Sequence, residues 1–203
     1  MQENNERLTA IFTTVGAGVL IIFGCLWMVG GIISAGLNNE IVYLILLGIW
    51  LLLLITFLII YLRKALMLPK EELTPEMKQR SKKIRNSFRI VNIMQTGMII
   101  AAVIILQSLN RSDLIVPVIS VIIGLHFFAL IPVFNFKFDI LIGASMIIWA
   151  LIVPICFPLI GIKGNQNSYI WSTFISLGNG LILWIGSINR FYNVNKILIK
   201  YKN

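Results

Sequence analysis

Apolar residues run along the chain in six long blocks, at about 11–35, 41–62, 90–109, 114–134, 140–160 and 170–188. Short polar breaks separate them. Each block is close to the roughly 20 residues that a helix needs to cross about 30 Å of hydrocarbon at ~1.5 Å per residue. Backbone N–H and C=O groups in lipid must find partners within the element, so such blocks are helices or barrel strands. These blocks are continuously apolar rather than alternating, which selects helices. The pattern therefore predicts an all-α integral membrane protein, a six-transmembrane-helix bundle forming a single domain over 1–203. A cytoplasmic loop at 63–89 and a tail at 189–203 lie outside the spans. The first block is too long for a signal-peptide core and follows only one basic residue, Arg7.

Composition agrees: 58% of the 203 residues are hydrophobic and 12% charged, about half the charged share of an ordinary soluble domain. The net charge of +9 is confined to particular breaks. Segment 63–89 carries nine Lys and Arg, the tail four, and the breaks holding Arg111, Lys137 and Lys163 one each. With both termini cytoplasmic, 15 basic residues fall inside and 2 outside, the asymmetry that orients multi-pass proteins. Basic residues that flank spans serve topology, so the charge does not imply nucleic acid. Richness in Ile, Lys and Asn suggests a bacterium with an AT-rich genome, hence a bacterial plasma membrane.

The basic segment carries its own helix signal. Thr74-Pro75-Glu76 offers an N-cap hydroxyl, a proline at the first helical position and an early acid. Met77, Ile84, Phe88 and Val91 share one helical face, while Lys78, Arg80, Lys82, Lys83, Arg85 and Arg89 occupy the rest. This predicts a basic amphipathic helix lying on the inner membrane surface and running into span 3. It serves as a topology anchor, or as a docking site for anionic lipid headgroups or a protein partner through Lys78, Lys82, Lys83 and Arg85. The tail, with Phe191, Tyr192, Ile197, Leu198 and Tyr201 among its lysines, is read as lying on the same surface.

Catalysis in a membrane needs carboxylates, histidines or an activated nucleophile at matching depth, and these are costly to bury. All eight acids, Asp113 and Asp139 included, fall outside the apolar blocks, and there is one histidine. Gly143-Ala144-Ser145 begins like a serine-nucleophile turn, but Met146 stands where the closing glycine would be. Cys25 and Cys156 form no Cys-x-x-Cys pair. No enzyme, cofactor or metal site is expected.

His126, inside span 4, is the one ionisable residue well within a block. At eight residues from the inner end of its span it lies ~12 Å deep, and Asn179, nine from the inner end of span 6, lies ~13 Å deep. Asn92, Gln95 and Thr96 in span 3 share a face at i, i+3 and i+4. Spans 3, 4 and 6 thus each carry a polar stripe, and a polar cavity shared by His126, Asn179 and Gln95 is expected. His126 is either a buried histidine bonded to a neighbouring helix or a ligand contact. Pro117, Pro132, Pro154 and Pro158 bend spans 4 and 5 or belong to plain architecture. Span 1 is lined by Gly16, Gly18, Gly24, Gly30, Gly31, Ser34 and Ala35, a small-residue seam for tight helix packing within the bundle or against another copy.

Gly124-Leu125-His126-Phe127-Phe128-Ala129-Leu130, followed by Phe134, resembles a segment of small uncharacterised bacterial six-span proteins with a Gly-(Leu/Ile)-His-Phe stretch in a mid-chain span. The resemblance implies that His126 is a marked residue of that family and implies no activity. Two functions fit. One is a non-enzymatic accessory, protective or sensing protein that meets lipid, a membrane-protein partner or a second copy through its basic inner face. The other is a small transporter or channel for a neutral or weakly polar solute, built around His126.

Overall fold

The computed structural model describes residues 6–36, 40–69, 75–134, 136–159 and 166–200. Thr74, the connection at 161–165, and Tyr201 and Lys202 lie outside the described residues, as do the side chains of Glu76, Met77 and Phe134. The helices are α1 (Glu6–Ala35), α2 (Glu40–Leu66), α3 (Pro75–Ser108), α4 (Ile115–Phe134), α5 (Phe138–Leu159) and α6 (Gln166–Lys200), with a 3-10 turn at Ser112–Leu114 before α4. No strand occurs among the described residues. Six helices are long and apolar enough to cross a membrane.

The first and last helices form the centre. α1 and α6 pack along one another, α2 lies mainly on α1, and the α4–α5 hairpin covers the other side of α6. α3 packs on α4 and the adjoining 3-10 turn and touches neither α2 nor α6. Consecutive helices α2 and α3 therefore share no packing.

Glycines set both tight crossings. A Cβ on Gly180 of α6 would stand 2.9 Å from the Gly24 carbonyl oxygen of α1. One on Gly143 of α5 would stand 2.5 Å from the Gly124 carbonyl oxygen of α4. Only residues without a side chain let two helix backbones come this close. The small-residue seam of span 1 is thus used inside the bundle: Gly24 and Gly31 face α6, and Gly18 meets Leu58 of α2. Ser34 hydrogen-bonds Ser172 across the same interface at 3.0 Å. Gly143 closes the α4–α5 crossing, which gives the Gly143-Ala144-Ser145 stretch a packing role. Pro117 sits in the first turn of α4, where no intrahelical donor is lost, and Pro132 lies inside α4.

The core is a sheath of Ile21, Leu183, Met146, Ile142, Val153 and Ile175, all but fully buried. The outward surface is apolar too. Ile41, Leu52, Ile93, Ile104 and Ile155 are each more than half exposed, an arrangement that water would not tolerate over so large an area.

Two helices run on past their predicted spans. The basic segment is the first half of α3, one helix from Pro75 to Ser108 with no break before the apolar half. The basic helix expected before span 3 thus runs into it without interruption. Likewise α6 continues to Lys200. Its last turns do not lie free on a surface: Val194 packs with Ala10, Ala65 and Leu68, and Phe191 stacks on Tyr61 at 5.1 Å. Lys200 pairs with Glu6, so the start of α1 and the end of α6 meet at one end of the bundle.

Candidate functional site

Asn179 is wholly buried, and its partner on α4 is Ser120. The Asn179 amide donates to Ser120 Oγ at 2.8 Å. The serine hydroxyl in turn has the Met146 carbonyl and Asn179 Oδ1 as acceptors, each at 3.2 Å. The flanking glycines make room for this. A side chain on Gly178 would collide with the Trp149 indole, which donates to the Phe174 carbonyl at 2.9 Å, and one on Gly180 would meet Met28. Every element of the node is satisfied, so it joins α4, α5 and α6 without leaving a ligand position.

His126 is not part of it. Six residues separate it from Ser120, which on an ideal helix is ~240° of rotation and ~9 Å of rise. It shares its face of α4 with Ile122 and Leu130, half-buried, with its ring edge-on to Phe127 at 6.1 Å. Its Nδ1 is buried and unpartnered. The shared His126–Asn179–Gln95 cavity expected from depth is thus corrected to a Ser120–Asn179 bond. Equal depth leaves azimuth open, and while α4 ends with its apolar block at Phe134, α6 runs on past its own. Gln95 cannot join, because α3 makes no contact with α6. Thr96 turns back onto the Asn92 carbonyl at 3.0 Å. Asn92 and Gln95 are half-buried and Thr96 exposed. Lys78, Lys82, Lys83 and Arg85 are all exposed, while Ile84, Phe88 and Val91 are more covered.

The chemistry gathers elsewhere. At the end where α1 starts and α6 finishes, a cavity of about 390 Å³ is lined by Thr9 and Thr13 of α1, Phe136 to Asp139 at the entry to α5, and Asn189, Arg190, Asn193 and Ile197 of α6. Asp139, placed outside the spans by sequence, is the second residue of α5 and is 1% exposed. Burial is possible because Arg190 Nη2 reaches its two carboxylate oxygens at 2.9 and 3.1 Å, neutralising a charge that could not be buried alone. The guanidinium also covers the Phe136 ring at 5.0 Å. It lies against Gly16, where any Cβ would strike it. Around the pair, Thr13 donates to the Thr9 carbonyl at 2.7 Å and the Asn193 amide to Asn189 Oδ1 at 3.1 Å.

Sequence reasoning missed both members of this pair. One signal was present: Arg190 continues the stripe Asn179, Leu183, Ser187, Val194 at helical spacing, all of them buried. A second cavity, about 260 Å³, lies toward the opposite end between Trp27, Gly30, Ser34, Ser172 and Ser176. Neither of these two cavities is lined by His126. Comparison with protein-family models, curated proteins and solved structures gives no match.

Proposed function

We propose that the chain is a non-enzymatic integral membrane protein of the bacterial plasma membrane, crossing it six times with both termini in the cytoplasm. It acts as an accessory, protective or sensing protein through its cytoplasmic end. The membrane part is supported by six long apolar helices with an apolar outer surface. The orientation is supported by the concentration of Lys and Arg in segment 63–89 and the tail.

One observation carries the choice of class. Most of the charged groups collect at one end, in the cavity around Asp139 and Arg190 and on the exposed first half of α3, while the Ser120–Asn179 node closes the bundle between that cavity and the smaller serine-lined one. A solute path would need polar space along the bundle. A surface that meets lipid or a partner needs only that one end.

Complementation of a gene deletion separates the classes. Replacing Lys78, Lys82, Lys83 and Arg85 together by Gln should leave membrane abundance unchanged and abolish function, while His126→Leu should complement. The reverse outcome, with the glutamine variant active and His126→Leu inert at normal abundance, would favour transport and overturn the proposal.

A further inference from the structure

We infer that the cavity around Asp139 and Arg190 is a binding site for a hydroxyl-bearing phosphodiester, the chemistry of a phosphatidylglycerol headgroup. Its placement at the cytoplasmic leaflet rests on the topology proposed above.

The cavity is built rather than incidental. Arg190, 8% exposed, is clamped between the Asp139 carboxylate, the Phe136 ring and the bare backbone of Gly16. That clamp spends Nη2 on Asp139, and Nε remains buried with no partner. The residue also lines the cavity, and a phosphoryl oxygen is the acceptor that a guanidinium fits best. Because the guanidinium is already held, binding loses little side-chain freedom.

The remaining lining decides what kind of anion fits. Asp139 and Arg190 cancel, so Lys137, exposed and with no ion pair among the described residues, leaves the cavity lining with one net positive charge. A single negative charge matches that, as a phosphodiester carries. Asp139 would repel a second charge, but its oxygens accept hydroxyl donors. Thr9, Thr13, Asn189 and Asn193 add further neutral donors and acceptors. Phe136, Phe138 and Ile197 supply an apolar wall for the glycerol backbone and the start of the acyl chains. The volume of about 390 Å³ lies within the ~300–1,000 Å³ of small-ligand sites.

The test uses the full chain purified in detergent and isothermal titration with three probes: dihexanoyl-phosphatidylglycerol, dihexanoyl-phosphatidylcholine and glycerophosphoglycerol, the same headgroup phosphodiester without acyl chains. Phosphatidylglycerol should saturate one site and bind at least tenfold more tightly than phosphatidylcholine. Lys137→Gln and Asn193→Leu should each weaken it at least fivefold with an unchanged unfolding midpoint. Lys137 is exposed, so its replacement leaves the fold intact even should Asn193→Leu not. Glycerophosphoglycerol binding as tightly as the lipid would identify a soluble source for the same chemistry, whereas weak binding assigns the site to lipid. Equal binding of the two lipids, or full binding by Lys137→Gln, would overturn the proposal. Detergent exposes both faces, so a reversed topology would refute the cytoplasmic placement without altering these titrations.

Discussion

Removing Arg190 should be among the most damaging single changes in the chain. In Arg190→Leu the Asp139 carboxylate, 1% exposed, loses both of its charge-assisted bonds and stays buried. Breaking one side of a buried pair costs about 3–5 kcal/mol. Lys137 lines the same cavity and can approach the orphaned carboxylate, so the lower end applies, about 3 kcal/mol or roughly 150-fold in the folding equilibrium. Asp139→Asn keeps an acceptor for Arg190 and should cost about 1–2 kcal/mol. The double variant leaves no uncompensated charge, so the two losses should fall short of adding by about 2 kcal/mol. Gly16 gives an independent check. Its alanine variant pushes the guanidinium off Asp139, and that penalty should largely disappear once Arg190 is already leucine. Reversible unfolding in mixed micelles with rising dodecyl sulfate, followed by tryptophan fluorescence, reads all of these. Losses from Asp139→Asn and Arg190→Leu that add to within about 0.5 kcal/mol would refute the coupling.

Single cysteines at positions 82 and 165 should respond oppositely to a membrane-impermeant maleimide in intact cells, with 165 labelled and 82 protected; labelling at 82 would defeat the proposed orientation. His126→Leu removes a buried nitrogen that has no partner, so it should hold stability to within about 1 kcal/mol or raise it. A loss above about 2 kcal/mol in the same micelle assay would mean that the imidazole is bonded after all. Gly180→Val sets a branched side chain against the Gly24 carbonyl oxygen and Met28 and should cost at least about 2–3 kcal/mol, whereas Gly97→Val, where a Cβ meets open space, should be nearly silent.

The helices themselves were legible because apolar length is a one-dimensional property: one helix falls on each of the six apolar blocks, with α3 and α6 running well past theirs. So was the need for close packing at Gly24 and Gly31, since small residues at helical spacing have few other uses in a long apolar helix. What the pattern could not supply was rotation about the axis. Asn179 and His126 agree in distance from a span end and disagree in face, and a serine with no unusual sequence signal took the position opposite the asparagine. The Asp139–Arg190 pair was hidden for a different reason. Counting charges to find span ends places every charge outside by construction, so a pair that neutralises itself within two helices is read as belonging to a loop and a tail. Pro75 at the first position of α3 and the run of the basic helix into the apolar block were both readable, because composition changes there and helicity does not.

The central partnership of α1 with α6 also sets a timetable for assembly. Trp184 Nε1 reaches the Ile21 carbonyl across 163 residues of chain. At the ~5–20 residues per second of ribosomal synthesis, α1 is made about 8–30 s before its main partner exists. Throughout that interval its glycine seam has only α2 beside it, and the α4–α5 hairpin forms with no centre to dock on. The centre of the bundle is therefore complete only once α6 has been made, which also supplies Arg190 to Asp139. Until then the nascent chain is a set of separate hairpins, and whatever shields such intermediates in the membrane has its period of contact with α1 defined by the length of the chain between them.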